Sequence, residues 1–253
     1  MCYMKIINIV RSCLTFFIWG CSIAIVYPFI FLLVCLPESV RRDSKIYHYI
    51  FSWWCWLIVR ATFVSCKVFG RENVPVYPNN PAIVVMNHGS SLDIPAVMMA
   101  LGMYPQVWMS NDYRKTPLLG FILKRMHVIV LRSGLKNPLS TIRSVYALTK
   151  NFDRHVCLFP EGRRYNDGEI HSFYSGYAVL AEMLERPVVP ILLVGTHALF
   201  PKNSWYLNTY KKELIISIGK PISRLECATR EEFLDKVANW FKLEQDRLRY
   251  KSL

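Results

Sequence analysis

His88 and Asp93 stand five positions apart in VVMNHGSSLD, residues 84–93. Val84, Val85 and Met86 read as the end of a short buried strand, Asn87 to Ser91 as loop formers, and Leu92 to Pro95 as a helix start. An imidazole at a strand end is held rigidly and still reaches a substrate. A carboxylate one helical turn on can bond one ring nitrogen and leave the other to take a proton. A plainer reading fits the same residues: Asp93 caps the helix ahead of Pro95, and His88 is an ordinary loop residue.

A second segment, VCLFPEGRRYNDGEIHSF (156–173), has a strand pattern over 156–159. Pro160, Glu161 and Gly162 break it, and Arg163 and Arg164 follow at once. Backbone N–H groups can approach a phosphate closely at such a turn, and arginine offers a planar fork to its oxygens. A solvated basic turn, with Glu161 paired to an arginine, would account for these residues equally well. Cys157 lies close by, but its apolar neighbours Val156 and Leu158 favour a core thiol over a nucleophile.

The elements that must position these groups follow a linker, GRENVPVYPNNP (70–81), whose three prolines mark a break. Strands are expected over 63–69, 82–86, 106–110, 127–131, 156–159, 188–194 and 213–218. Helices are expected over 94–101, 118–124, 139–149, 177–184 and 231–247. The last opens with the capping box Thr229-x-x-Glu232 and aligns Phe233, Val237, Trp240, Phe241 and Leu248 on one face. Such alternation predicts an α/β fold: a mixed, mostly parallel sheet flanked by helices.

Ahead of that core, no charged residue occurs between Arg11 and Glu38, and 13–36 is apolar almost throughout. That length spans a bilayer with some tilt, or re-enters it. Its length, Pro28 and the lack of a small-residue cleavage pattern argue against a cleavable signal peptide. Residues 45–59 are rich in aromatics (Tyr47, Tyr49, Phe51, Trp53, Trp54, Trp56), as an interfacial helix would be. The expected organisation is therefore a two-helix membrane anchor over 1–60 and one folded domain over 61–253. Arg41, Arg42 and Lys45 after the apolar run, against Lys5 and Arg11 before it, weakly bias that domain to the cytosolic side. The alternative, two core helices of a soluble protein, is disfavoured because the first is apolar on every face.

A net charge of +13 on 253 residues points to nucleic acid, an anionic membrane surface or acidic small substrates. The cations are dispersed and no nucleic-acid module signature is present, so nucleic acid is not an expected partner. The eight cysteines show neither zinc-ligand spacing nor a disulfide framework, which fits a reducing, cytosol-facing setting.

In this order, Asn-His-x4-Asp over 87–93 and Phe-Pro-Glu-Gly-Arg-Arg over 159–164 resemble the glycerolipid acyltransferase family. Further blocks extend the likeness: PLLG at 117–120, VIVLR at 128–132, Phe173-x-x-Gly176 with Ala181, and VVPI at 188–191 followed by Gly195-Thr196. The resemblance spans roughly residues 65–225. It implies transfer of a fatty acyl group from an acyl thioester (acyl-CoA or acyl carrier protein) to the free hydroxyl of 1-acyl-sn-glycerol-3-phosphate, forming phosphatidic acid. His88 would be the general base and Asp93 would orient it, with Ser90 and Ser91 as loop and capping residues. The implied substrate-binding set is Asn87, Arg132, Glu161, Gly162, Arg163 and Arg164. No cofactor or metal is implied; the thioester is a co-substrate, and the partners are the bilayer, a lysophospholipid acceptor and the acyl donor.

Three departures from the family pattern stand out, at four positions. Arg163 replaces a threonine, Ser110 and Asn111 replace lysines, and Tyr174 replaces another lysine. These changes put the acceptor headgroup in question and leave room for another lysophospholipid. A membrane lipid-binding protein of the same fold without activity is the reading from a different class.

Overall fold

The apolar N-terminal run forms α1 (Cys2–Cys35), with Pro28 inside it. The computed structural model describes residues 2–37, 45–75, 80–102, 106–107, 109–110, 121, 130–131, 138–150, 154–209 and 213–250. Among these, α1 alone is long and apolar enough to cross a membrane, with mean hydropathy 2.3 over its best window. It does not stand apart from the rest. Ser12, Thr15, Ser22, Val26, Ile30 and Val34 are spaced three, four or seven positions apart and are buried, so one face is docked over most of its length. Leu14, Phe17, Ile25, Phe29 and Leu32 are exposed on the remainder.

Helix α2 (Lys45–Arg60) runs back along α1. Thr15 Oγ1 donates to Ala61 O at 2.7 Å, Trp19 Nε1 to Ile58 O at 3.0 Å, and Trp54 Nε1 to Ser22 Oγ at 3.0 Å. These three bonds fix the hairpin in register.

The remaining elements alternate as expected. They are β1 (Ser65–Phe69), β2 (Ile83–Met86), α3 (Asp93–Leu101), β3 (Gln106–Val107), β4 (Met109–Ser110), β5 (Val130–Leu131) and α4 (Pro138–Thr149). Then come β6 (Val156–Leu158), α5 (Gly176–Leu184), β7 (Val188–Val194), α6 (Thr196–Leu199), β8 (Glu213–Ile218) and α7 (Arg230–Tyr250). Among the described residues the main sheet has six strands in the order β1-β8-β7-β2-β6-β3. Every neighbouring pair is parallel except β7 and β8, which makes the sheet mixed and mostly parallel.

One expected strand is divided. Residues 106–110 form two short pieces, β3 pairing with β6 and β4 pairing with β5 in a separate two-stranded sheet. Of the strand expected over 127–131 only Val130 and Leu131 are described, and of the helix over 118–124 only Phe121. Asn111, the 117–120 block and Arg132 lie outside the described residues.

The centre of the sheet is covered on both faces, as a near-continuous apolar strand requires. Val84 and Met86 of β2 join Val189, Ile191 and Leu193 of β7 under α1, α2 and α3. Ile83 and Val85 face the other way, with Val156, Leu158, Val188 and Leu192, under α5 and α7. Phe233, Val237 and Phe241 of α7 are fully buried there, which makes the predicted stripe a packing surface. Thr229 Oγ1 caps the helix by accepting from Glu232 N at 3.1 Å. All seven cysteines with described side chains are free, and burial pushes the Cys157 thiol up, as an inert core thiol requires.

His155, at the entry to β6, is fully buried and its Nδ1 accepts the Ala82 N–H at 2.9 Å, linking the starts of β6 and β2. Burial chiefly, with Arg186 adding to it, lowers its pKa from 6.5 to about 4. The neutral ring is therefore the folded form, and the stability it contributes is complete above pH 6.5 and is lost as pH falls towards 4. We expect the wild type to lose on the order of 2–3 kcal/mol between neutral pH and about pH 4.5 from this group. Denaturant unfolding of detergent-solubilised protein across that range should show a shallower pH slope for His155→Gln; identical slopes would contradict the assignment.

Candidate active site

The parallel register places the two chemical segments side by side. Val85 of β2 pairs with Leu158 of β6, so His88 and Glu161, each three residues further on, emerge together at the carboxyl ends of their strands. Loops at this edge are where parallel sheets build ligand sites. Here they are tied to each other through the backbone of His88. Its N–H donates to Glu161 Oε2 at 2.9 Å and its carbonyl accepts from Tyr165 N at 3.0 Å.

The imidazole is fixed as firmly as its backbone. His88 Nδ1 lies 2.8 Å from Asp93 Oδ2, and Phe159 stacks on the ring with centroids 3.9 Å apart. A carboxylate can only accept, so Nδ1 carries the proton and Nε2 keeps its lone pair. Asp93 is the first residue of α3 and fully buried, and its Oδ2 also accepts Gly89 N and Ser90 N, each at 2.8 Å. The plainer role, Asp93 as a helix cap, is not the one its carboxylate takes: the N–H groups it accepts precede α3, so it closes the loop and orients the base together. The His88 side chain is 18% exposed, enough to meet a ligand.

That exposure opens on a cavity of about 430 Å³. His88, Ser91 and Arg164 supply its polar end; Trp19, Ile23, Phe51, Trp54, Met98 and Phe200 line the rest. Arg164 Nη1 donates to Ser91 Oγ. The indole N–H groups of Trp19 and Trp54 are already bonded to Ile58 O and Ser22 Oγ, so the walls between α1, α2 and α3 are functionally apolar. One chamber therefore joins a base, a cation and a long greasy recess. Sequence reasoning gave the first two. It placed Trp19 and Trp54 only in a membrane anchor, since nothing local links residues so distant to His88.

Several expected substrate-binding residues make bonds within the protein or lie off the cavity. Asn87 uses both ends of its amide on β7, donating to Leu193 O at 2.9 Å and accepting Leu193 N at 2.8 Å, and so braces β2. Glu161 is buried, and its second oxygen accepts His171 N at 3.2 Å, which makes it a brace between loops. Burial pushes its carboxyl up, while the N–H groups of His88 and His171 hold it down. Gly162 shapes the turn at φ 71°, where a Cβ would also meet the Tyr174 ring at 3.0 Å. Arg163 turns away: it is exposed, lies 4.6 Å from the Tyr165 ring centroid and does not line the cavity. Tyr174 is exposed as well. Among the described residues no group of three or more His, Cys, Asp or Glu side chains is placed to hold a metal ion.

Residues 65–194 match the sequence profile of the family described as Acyltransferase. Over 197 residues the chain is 29% identical to the chloroplastic 1-acyl-sn-glycerol-3-phosphate acyltransferase of Brassica napus and 30% identical to that of Arabidopsis thaliana. Each alignment covers 78% of this chain but only 54% and 52% of those proteins, so the chain spans about half their length. The 1-acyl-sn-glycerol-3-phosphate acyltransferase of Limnanthes douglasii is 25% identical over 232 residues, 90% of this chain and 74% of that protein. The crystal structure of the 1-acyl-sn-glycerophosphate acyltransferase PlsC from Thermotoga maritima shares the fold, with a TM-score of 0.79 at 23% identity, covering 96% of this chain and 98% of that one.

If His88 is the base at this cavity, His88→Ala should leave the fold intact and lower turnover of an acyl-transfer reaction by on the order of a hundred- to ten-thousand-fold. Asp93→Asn should also be severe, since a neutral amide cannot stabilise the imidazolium. Near-normal turnover in either purified, folded variant would contradict the assignment.

Proposed function

The chain belongs to the acyltransferase family, and from that premise we propose that it moves a fatty acyl group from an acyl thioester to the free hydroxyl of 1-acyl-sn-glycerol-3-phosphate. The products are phosphatidic acid and a free thiol. The reading rests chiefly on one observation: the Asp93-oriented His88 and Arg164 share a single cavity with a long apolar recess.

In this scheme His88 Nε2 takes the acceptor's hydroxyl proton as its oxygen attacks the thioester carbonyl carbon. The tetrahedral intermediate collapses with cleavage of the C–S bond, and the imidazolium returns the proton to the leaving thiolate. No acyl-enzyme is required, because a thioester is already activated. The serines support this: Ser90 Oγ is engaged with Phe200 O at 2.7 Å and Leu92 N at 3.2 Å, and Ser91 Oγ with Arg164. Arg164 holds the acceptor phosphate through charge-assisted hydrogen bonds, and the apolar recess takes an acyl chain. The reaction needs no resident cofactor; the donor, acyl-CoA or acyl carrier protein, is a co-substrate.

Residues 1–60 serve as the anchor and 61–253 as the acyltransferase domain, on the cytosolic face of the membrane. The docked face of α1 favours a helix lying along the bilayer with its exposed apolar side immersed, over one that crosses it. The cavity between α1 and α2 then receives lipid by lateral diffusion.

A second reading, transfer to a lysophospholipid with a larger headgroup, is favoured by Arg163, which turns away and leaves Arg164 as the one arginine lining the cavity among the described residues. Competition between lysophosphatidate and lysophosphatidylglycerol separates the two. We expect preference for the monoester, a roughly ten- to hundredfold loss of kcat/KM in Arg164→Ala, as for a lost charge-assisted bond, and little change in Arg163→Thr. Preference for the diester, unaffected by Arg164→Ala, would overturn the lysophosphatidate assignment.

A further inference from the structure

The loop after α6, residues 201–209, displays two large aromatics to solvent while being pinned at both ends. Trp205 is 75% exposed and Tyr206 42%, with their rings edge to face at 5.4 Å. Exposed aromatics on a free loop would mean little. This loop is fastened to the apolar helix. Asn8 of α1 donates to Asn208 Oδ1 at 3.1 Å and accepts from Thr209 N at 3.0 Å, and Ser12 Oγ accepts Leu207 N at 2.8 Å, beside a fully buried Leu207. Within the loop, Ser204 Oγ donates to Tyr206 O at 2.7 Å and fixes the turn that carries the pair.

In the same turns of α1 Ile6, Ile9 and Val10 are exposed, so both elements joined at this junction carry apolar surface. Tryptophan and tyrosine combine an apolar body with a polar handle and settle in the headgroup zone of a bilayer. Lys202 in the loop and Lys5 on the first turns of α1 are exposed, on a chain of net charge +13, which suits anionic headgroups. The loop also reaches the catalytic edge: Lys202 N donates to Asn166 Oδ1 at 3.0 Å, two residues beyond Arg164.

We propose that residues 201–209 form a second membrane-contact surface, inserting Trp205 and Tyr206 into the headgroup zone of an anionic bilayer and fixing the depth of the cavity mouth. The helix supplies attachment; the loop supplies height. Because it is bonded to α1 on one side and to the arginine-bearing turn on the other, the loop holds Arg164 at the level where a lipid phosphate lies. This inference rests on the membrane reading of α1 given above.

The test uses the full chain on vesicles of phosphatidylcholine containing one-fifth phosphatidylglycerol. The emission difference between wild type and Trp205→Phe isolates Trp205. It should shift to the blue on vesicle addition and be quenched by lipids brominated near the headgroup end of the chain. The double variant Trp205→Ser/Tyr206→Ser should lose activity several-fold on vesicle-embedded acceptor and keep it on a short-chain soluble one, whereas the distant exposed Leu225→Ser should change neither. If the chain floats with vesicles while Trp205 stays water-exposed, the loop proposal fails and the membrane reading stands. If the chain does not float at all, the membrane reading itself fails, and the proposal with it. Shielding of Trp205 without vesicles, in step with self-association, would overturn it in favour of a contact between copies of the chain.

Discussion

One buried oxygen, Asp93 Oδ2, organises the catalytic edge of this protein. Three donors converge on it: the imidazole Nδ1 of His88 and the backbone N–H groups of Gly89 and Ser90. Removed from water, a carboxylate needs such donors, and here the three bonds to Oδ2 also fold the loop, while Oδ1 is buried without a hydrogen-bond partner among the described residues. Its place in the first turn of α3 adds the favourable field of the helix N-terminus. Loop shape and imidazole tautomer are therefore not separate properties.

The sheet extends this constraint outwards. Parallel pairing of β2 with β6 sets His88 beside Glu161, which braces two loops, and Asn87 ties the end of β2 to β7. Phe159, the residue after β6, stacks on the ring from the strand's own continuation. Above this edge α1 and α2 close an apolar recess whose indole N–H groups are already paired. In the proposed reaction the base that acts on the hydroxyl of a lipid sits at the boundary between a polar turn and a dry chamber. The amphiphile itself has that same division.

The sequence made the local parts legible. Strand and helix periods located β2, β6, β7, β8, α3, α5 and α7 to within a few residues, because each buries a face whose repeat is visible in the chain. The five-residue spacing of His88 and Asp93 was readable for the same reason: it lies within one loop and one turn of helix. What the chain concealed depends on register and distance. Glu161 and Asn87 carry no mark telling a backbone brace from a substrate ligand, since that depends on which strand lies alongside. Arg163 is drawn off the cavity by Tyr165, a side chain only two residues away, but the direction of that turn is set by Gly162 at positive φ. Gln106–Val107 pair with β6 and Met109–Ser110 with β5, and a choice of partner strand is something no single-strand pattern expresses.

The central claim is that an Asp93-oriented His88 activates the acceptor hydroxyl for direct attack, without an acyl-enzyme. Rapid-quench measurement of thiol release from an acyl thioester, with and without 1-acyl-sn-glycerol-3-phosphate, tests it most directly. The account predicts no stoichiometric burst without acceptor, and release of thiol and formation of phosphatidic acid at equal rates once acceptor is present. A burst of one thiol per protein molecule in the absence of acceptor would contradict it.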